Sequence, residues 1–204
     1  MAGYKESKRE VLDTAIHNSI NVIFNLVVSV KFFLERMVFK EHRQLLNNAE
    51  LKNSFKGQRC FVLGNGPSLN SQKIEVLKDE IVFMVNRSFL DPRYEIIAPE
   101  YHIFVDDKLA TGEWPLSYLD DVHKKNPDVI FLLNSKWFKL EIFSEYKEKY
   151  KIYWIDQCLK LSNYGLKSKI DLTKRNYGGF VVEQAIVVAS YMGYKDIYIS
   201  GVDG

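Results

Sequence analysis

The stretch that decides the fold is "CFVLGNGPSL", residues 60–69. Residues 60–63 favour a buried strand, and Gly-Asn-Gly-Pro-Ser follows at once. The spacing of Leu69, Ile74 and Leu77 then predicts a short helix over Ser68 to Lys78. A tight turn needs some of these special residues, and a turn that also holds a ligand needs most of them.

The rest of the chain repeats the same alternation of short apolar strands and helical segments. A long helix follows in "GGFVVEQAIVVASYMGYK" and ends at Gly193. Further strands are predicted at Ile81–Val85, Tyr101–Val105, Val129–Leu133, Ile152–Ile155 and in "DIYIS". This pattern predicts an α/β fold, a doubly wound and mostly parallel Rossmann-like sheet with an N-terminal amphipathic helical extension. We expect a helical extension over residues 1–50 and a nucleotide-binding domain over residues 51–204.

Composition and charge exclude several functional classes. The chain has 204 residues, a net charge of +2 and a pI near 8.3, so no general positive field favours nucleic acid. Two distant cysteines, Cys60 and Cys158, do not form a disulfide framework, and no spacing is typical of a zinc site. The polar start "MAGYKESKRE" is not a cleavable secretory signal. We therefore expect a cytoplasmic protein.

The N-terminal region predicts a helix from Glu10 to Leu46 with a wide apolar arc. The apolar run is expected to be too short, and Lys31 too central, for a membrane span. One interpretation is packing on its own domain or on the same helix of a second subunit, which would make a homo-oligomer. The other is an interfacial helix at the inner face of the cytoplasmic membrane, because basic residues collect at its C-terminal end.

Small and polar residues follow each predicted strand, where ligands bind in parallel sheets. Gly64 and Gly66 permit close approach of a ligand, and Asn65 and Pro67 complete the turn. Ser68 is predicted to be the N-cap of the following helix, which would leave bare backbone N–H groups for an anion such as phosphate. The alternative is a tight strand-to-helix connection with an ordinary serine cap. The pattern matches neither a Walker A loop nor G-x-G-x-x-G.

Other strand ends carry further candidates for the same site. Asn86 suits a base or ribose, and Arg87 a phosphate, with a surface turn as the alternative. A second helix start follows Tyr177, Gly178 and Gly179, with Asn176 beside them. His102 is expected to be a core or edge residue and not a base, and His42 has no paired carboxylate at a useful spacing. Two carboxylates, which capping or a solvated turn also explains, are candidate Mg²⁺ ligands or catalytic groups: Asp106 and Asp203.

Three motifs resemble known families. "GNGPSL", "VNRSF" and "GYKDIYISGVD" resemble the bacterial lipooligosaccharide sialyltransferases. The same outline resembles the 6-hydroxymethylpterin diphosphokinase-like (MptE-like) family, which includes flagellin glycosylation factors, and Gly178-Gly179 fits that family better. The resemblance covers about Arg59 to Gly204.

The resemblance implies a glycosyltransferase with a nucleotide sugar donor, a CMP-linked nonulosonic or Kdo-type acid, and a bacterial surface glycan as acceptor. Gly64, Asn65, Gly66 and Ser68 would then hold the phosphate and ribose. The sialyltransferases' catalytic histidine has no counterpart before Gly204, which predicts a truncated chain or a chain without that chemistry. Two alternatives stay open: a pterin diphosphokinase using ATP and Mg²⁺ held by Asp106 and Asp203, and a nucleotide-binding or scaffold domain without turnover.

Overall fold

The computed structural model describes residues 2–156, 170–174 and 179–203. Within them, six strands form one sheet in which all neighbouring strands are parallel. The strands are β1 (Arg59–Leu63), β2 (Val82–Val85), β3 (Tyr101–Phe104), β4 (Ile130–Asn134), β5 (Ile152–Ile155) and β6 (Asp196–Ser200). Their order across the sheet is β5-β4-β3-β2-β1-β6. The predicted doubly wound α/β fold is confirmed.

Helices cover both faces of this sheet. The α-helices are α1 (Ala2–Val38), α2 (Lys40–Gln44), α3 (Tyr94–Ile97), α4 (Lys108–Thr111), α5 (Ser117–Lys125), α6 (Ser144–Lys149) and α7 (Val181–Met192). Short 3₁₀ turns lie between these elements at Leu45–Leu51, Pro67–Ser71, Ile74–Leu77, Asn86–Leu90, Ser135–Lys139 and Glu141–Phe143. As predicted, Gly193 ends α7 in the left-handed conformation, at φ 86°.

Alternation along the strands divides the core into two layers. On one face, α7 packs through Ala185 and Val188 against strand residues such as Val62. On the other face, α5 packs through Leu119 and Val122 among strand residues such as Met84, with Leu45 in the same cluster. Both faces of the sheet are therefore covered from β2 to β5, as the continuous apolar strands require, whereas the edge strand β6 exposes Tyr198 and Ile199.

The strand order reverses at β1. From β1 the chain adds β2 to β5 on one side and then returns to place β6 on the other side. In parallel sheets the carboxyl end of the strands at such a reversal is the usual ligand-binding place. The glycine-rich turn after β1 lies at this point.

Two predicted helices differ from the structure. Residues 68–78 form two 3₁₀ turns, not one α-helix, and Gly66 rather than Ser68 precedes the first turn. The guanidinium of Arg93 donates to the carbonyls of Leu69 and Gln72, which occupies acceptors that a continuous helix would use. The N-terminal helix also breaks at Phe39, whose backbone is extended at φ −106° and ψ 120°.

Helix α1 is long and apolar enough to cross a membrane by length and composition. Its apolar segment, Arg9–Glu35, has 27 residues, and none of its most apolar window is buried in the protein. At ~1.5 Å per residue this segment measures about 40 Å, more than the hydrocarbon thickness of about 30 Å. The expectation that the helix is too short to span is therefore wrong for the folded helix.

A buried asparagine connects the segment after α1 to the sheet. The side-chain amide of Asn48 donates to the carbonyls of Trp154 and Leu172, each at 2.8 Å. Asn48 is almost fully buried, so these bonds form in a dry environment where their loss is costly. The Leu45–Leu51 turn is thus held firmly against β5.

Candidate functional site

The glycine-rich turn is hydrogen-bonded to the turn after β6. The N–H of Gly64 donates to the carbonyl of Ser200 at 2.9 Å, and that of Gly66 donates to Gly201 at 2.8 Å. The N–H of Ser68 donates to Oδ2 of Asp203 at 2.9 Å. Ser68 was predicted to cap a helix and to leave bare backbone N–H groups for an anion. This prediction is wrong, because the chain's own carbonyls and the Asp203 carboxylate accept from the N–H groups of Gly64, Gly66 and Ser68. We call this arrangement of residues 64–68 and 200–203 the loop junction.

The glycines of the loop junction are required by close packing. A Cβ atom on Gly64 would lie 2.2 Å from the carbonyl oxygen of Gly201, and one on Gly66 would lie 2.0 Å from Oδ2 of Asp203. The bond from Ser68 also lowers the pKa of the Asp203 carboxyl, which keeps it ionised. The two glycines thus allow the first and last strand ends to meet.

A cavity of about 300 Å³ opens beside the loop junction. It lies between the ends of β1 and β2, and we call it the β1–β2 cavity. It brings together five of the predicted site residues, Gly64, Asn65, Gly66, Pro67 and Arg87. Its other lining residues are Leu69, Asn70, Met84, Ser88, Leu90 and Asp91. Ser68 and Asn86 adjoin this cavity in the sequence but do not line it.

The charges of the β1–β2 cavity favour an anion at Arg87. Asp91, the acid among the described lining residues, forms a bidentate ion pair with Arg93. Hydrogen bonds from Arg93 lower the pKa of the Asp91 carboxyl, so this carboxylate is already neutralised within the protein. Arg87 is exposed at the cavity and is left to interact with a ligand.

Sequence analysis missed Ser88 as a site residue. Its hydroxyl is buried and has no hydrogen-bond partner among the residues that the structure describes. A buried hydroxyl without a partner costs free energy, and Ser88 lines the β1–β2 cavity, where a ligand can supply that partner. The position directly after Arg87 was the available signal.

Asn86 and His102 form a structural pair. Asn86 adopts a left-handed backbone, at φ 49°, and its carbonyl accepts a hydrogen bond from Nε2 of His102 at 2.8 Å. Nδ1 of His102 accepts from the hydroxyl of Tyr94 at 2.9 Å. Burial lowers the pKa of His102 to about 3, so the ring is neutral. The prediction that His102 is a core residue is confirmed.

The two candidate metal ligands have structural partners. Asp106 accepts from the N–H of Lys108 at 3.2 Å, and its neighbour Asp107 accepts from the indole of Trp137 at 3.1 Å. Asp203 belongs to the loop junction. Within residues 2–156, 170–174 and 179–203, no group of three or more histidine, cysteine or acidic side chains has an arrangement suited to a metal ion.

The second predicted helix start is partly outside the described residues, where Asn176, Tyr177 and Gly178 lie. The N–H groups of Gly179 and Phe180 both donate to the carboxylate of Glu183, at 2.7 and 3.2 Å. The described part of this helix start is therefore capped by its own glutamate, as in a capping box.

A larger cavity, of about 660 Å³, lies at the ends of β3, β4 and β5. We call it the β3–β5 cavity. Three lining residues come from the N-terminal segment: Glu35, Phe39 and His42. The others are Asp107, Ala110, Thr111, Ser135, Lys136, Trp137, Lys139, Leu140 and Asp156.

The expectation that His42 has no paired carboxylate is wrong. Its Nδ1 lies 3.8 Å from a carboxylate oxygen of Glu35, and its Nε2 lies 4.0 Å from Oδ2 of Asp156. Asp156 follows β5, far from His42 in the sequence, so no local spacing could reveal the contact. The fold alone brings this histidine and this aspartate together.

Comparison with known proteins shows the family of this chain and a solved structure with a similar fold. A family model described as 6-hydroxymethylpterin diphosphokinase MptE-like matches residues 36–204. The structure of MAf glycosyltransferase from Magnetospirillum magneticum AMB-1 is similar, with 14% identity and a TM-score of 0.50. The match covers 81% of this chain and 28% of that protein, and at this identity it shows a shared fold. No curated protein matches the chain.

Proposed function

The chain belongs to the 6-hydroxymethylpterin diphosphokinase MptE-like family, and we propose that it is a glycosyltransferase that uses a nucleotide-activated sugar. The proposed donor is a CMP-linked nonulosonic or Kdo-type acid, and the proposed product is a bacterial surface glycan. The fold shared with a glycosyltransferase is consistent with this proposal. The observation that carries it is the β1–β2 cavity, which combines the glycine-rich turn with Arg87 and Ser88.

The charge of the β1–β2 cavity suits a single phosphate. A CMP-linked sugar carries one phosphodiester charge, and Arg87 can bind it with two parallel hydrogen bonds. The exposed amide of Asn65 and the buried hydroxyl of Ser88 would bind the remaining phosphate or ribose oxygens. The catalytic contribution of this site would be stabilisation of the negative charge on the departing phosphate.

The family description also names a second candidate, a diphosphokinase acting on 6-hydroxymethylpterin. Such an enzyme needs ATP with Mg²⁺, and Mg²⁺ prefers carboxylate and phosphate oxygens. The acid of the β1–β2 cavity, Asp91, is engaged by Arg93. This ion pair favours the sugar donor over Mg-ATP as the ligand of the cavity.

A thermal titration separates the two candidates. The melting temperature of the chain is measured with CMP, CDP, UDP, GDP and ATP, each with and without Mg²⁺. We expect CMP to stabilise the chain most, by about 2.7 kcal/mol at one hundred times its Kd. A preference for Mg-ATP would favour the diphosphokinase, and no shift with any nucleotide would contradict both.

Arg87→Ala tests the proposed phosphate contact in the same titration. Loss of a charged hydrogen-bonding partner is expected to weaken CMP binding by about 10- to 100-fold, because such bonds contribute ~1.5–3 kcal/mol. The matched control is Lys78→Ala, since Lys78 is also an exposed cation but does not line the β1–β2 cavity. If Arg87→Ala and the wild-type chain bound CMP with equal affinity, Arg87 would not contact the phosphate of the donor.

We also propose that α1 binds a membrane, where the acceptors of surface glycans are lipid-linked. Its exposed apolar side chains, which include Ile20, Ile23 and Val27, support this placement. Val27→Asp is expected to reduce sedimentation with phosphatidylglycerol vesicles about tenfold, because a carboxylate must then enter the apolar layer. Asn18→Asp adds the same charge at a position of α1 that is already polar and serves as the control. Equal vesicle binding of both variants would argue against the membrane role.

A further inference from the structure

The outer side of strand β6 has no neighbouring strand within the part of the chain that the structure describes. There, β6 pairs with β1 alone. Tyr198 and Ile199 are each 50% exposed, whereas all residues of β2 and β3 are buried. We call the strand Asp196–Ser200, with its outward-facing backbone, the β6 edge. A strand edge that is apolar and exposed in this way readily pairs with another strand.

A groove of about 370 Å³ lies beside the β6 edge. Its wall includes Phe61 and Tyr198, whose rings stack at a centroid distance of 5.0 Å, and the exposed side chain of Val76. Lys73 is the charged residue among the described lining residues. The groove therefore suits an apolar protein surface better than a charged ligand.

Strand β6 lacks the features that usually prevent an edge strand from pairing. Edge strands of monomeric proteins often carry a lysine, a proline or a bulge. The middle of β6 consists of Ile197, Tyr198 and Ile199, and its charged residue, Asp196, lies at the start. β-Branched and aromatic residues favour strand pairing. We therefore expect another strand to cover this edge in solution.

The outward-facing backbone groups of the β6 edge belong to Ile197 and Ile199. The carbonyl of Ser200 points towards β1, since it accepts from the N–H of Gly64 at 2.9 Å. Successive residues of a strand direct their N–H and C=O groups to opposite sides. The groups of Ile199 and Ile197 consequently point away from β1, where a further strand can bind them.

A second copy of β6 fits these backbone groups when it lies antiparallel to the first. With a two-fold axis at Tyr198, Ile197 of each copy lies opposite Ile199 of the other copy. Each of these pairs can exchange both of its N–H···O bonds, because both residues direct their backbone groups outward. The symmetric arrangement thus satisfies the outward groups of both strands at once.

The side chains are also complementary in this register. Tyr198 lies beside Tyr198 of the second copy, which extends the aromatic stack that begins at Phe61. Asp196 lies opposite Ser200, so no like charges face each other directly. The two Asp196 side chains are separated by about 14 Å, four residues at ~3.4 Å each. This separation exceeds the Debye length of about 10 Å at ~0.1 M salt, so their repulsion is weak.

We propose that the chain forms a homodimer through the β6 edge, with the two β6 strands antiparallel around Tyr198. The two sheets then become one continuous sheet, and the exposed parts of Tyr198 and Ile199 are covered. Isologous contacts of this kind close after two copies, so they give a dimer and not a filament. The dimer does not depend on the proposed function, because no residue of the β6 edge lines the β1–β2 cavity.

Sedimentation velocity of the full chain in a mild detergent tests the dimer over a range of protein concentrations. Ile199→Lys is expected to raise the Kd of the dimer by about 10- to 100-fold, because it replaces an apolar side chain with a cation at two symmetry-related places. Ile199→Val keeps the apolar, β-branched side chain and serves as the control. All variants contain α1, so association through that helix is the same in each.

A second variant removes a backbone donor instead of a side chain. Ile199→Pro deletes the outward N–H and leaves the bonds between β6 and β1 in place, as proline on an edge strand allows. We expect it to weaken the dimer as Ile199→Lys does. The melting temperature of each variant, measured alongside, shows that the monomer is folded.

Tyr198→Cys tests the register by disulfide formation. At a non-hydrogen-bonded antiparallel pair the two Cα atoms are about 4.5 Å apart. A disulfide can bridge Cα atoms at about 4.4–6.8 Å, so we expect a crosslinked dimer under mild oxidation. Asp196→Cys is the control, because its two copies would be about 14 Å apart. The wild-type chain, with Cys60 and Cys158, gives the background.

The outcomes support or overturn the dimer as follows from this geometry. A dimer that Ile199→Lys and Ile199→Pro weaken and Ile199→Val retains supports the β6 edge as the interface, and selective crosslinking of Tyr198→Cys supports the register. A wild-type chain that stays monomeric at every concentration overturns the inference. A dimer that Ile199→Lys and Ile199→Pro leave unchanged also overturns it, because the copies then associate elsewhere, for instance through α1.

Discussion

Replacement of Gly64 by alanine is expected to lower the melting temperature by about 5–10 °C. The added Cβ would lie 2.2 Å from the carbonyl oxygen and 3.0 Å from the carbonyl carbon of Gly201. Both are backbone atoms, so no side-chain rotation relieves the overlap and the strand ends must separate. Overpacking of this kind costs up to about 3 kcal/mol, and each kcal/mol corresponds to about 2–4 °C at this chain length.

The control for Gly64→Ala is Gly179→Ala. Neither glycine has a positive φ, and among the residues that the structure describes a Cβ on Gly179 would meet only the end of the flexible Glu183 side chain, at 3.2 Å. We expect this variant to melt within about 2 °C of the wild-type chain. Gly64→Ala should also lose the thermal shift with CMP, because the wall of the β1–β2 cavity moves. Equal melting of both variants would show that the loop junction tolerates more space than the geometry indicates.

Acidification from pH 6.5 to pH 4.5 is expected to reduce the free energy of unfolding by about 2.5 kcal/mol through His102 alone. Burial lowers the pKa of His102 in the folded chain to about 3, whereas the unfolded chain keeps the ordinary value of 6.5. The unfolded chain therefore binds the proton first. The contribution of the neutral His102 ring to the free energy of unfolding is fully present above pH 6.5 and is lost as the pH falls towards 3.

His102→Gln tests this effect through the pH dependence of the melting temperature. The glutamine amide can still donate to the carbonyl of Asn86 and accept from Tyr94, but it does not titrate. Between pH 6.5 and pH 4.5 we expect the melting temperature of His102→Gln to fall by about 5–10 °C less than that of the wild-type chain. The control variant, His123→Gln, should show the full wild-type decrease. Glu100, whose pKa is raised by burial, opposes the fall equally in both variants. If the melting temperature of His102→Gln fell with pH as steeply as that of the wild-type chain, His102 would not be the group that destabilises the fold on acidification.

The sheet could be predicted from the sequence because its strands are short apolar runs with polar ends. Ile152–Ile155 was predicted with its observed bounds, since the run is flanked by Lys151 and Asp156. The turns at residues 67–77 could not be predicted in the same way. Their form depends on Arg93, which reaches their carbonyls from beyond β2. The local spacing of apolar residues carries no information about a hydrogen bond from a side chain that is distant in the sequence.

The residues of the candidate site also differ in whether local sequence could predict their position. Asn65 and Arg87 lie just after β1 and β2, so the rule for parallel sheets predicted from the sequence that they come together in the β1–β2 cavity. The partner of Ser68 could not be predicted, because strand order decides that Asp203 lies opposite it. The contact of His42 with Asp156 depends on how the N-terminal segment packs on β5, and the sequence carries no local sign of it.

The position of β6 beside β1 has a consequence for synthesis on the ribosome. Strand β1 emerges early and can pair with β2, but its other edge stays open until Asp196–Ser200 has been made. At ~5–20 residues per second, that interval is on the order of ten seconds. During it the nascent chain exposes an apolar strand edge and lacks the hydrogen bonds of the loop junction beside the β1–β2 cavity. Chaperone capture is therefore expected on chains that end between β5 and β6, and the proposed nucleotide binding is expected only on chains that include Asp203.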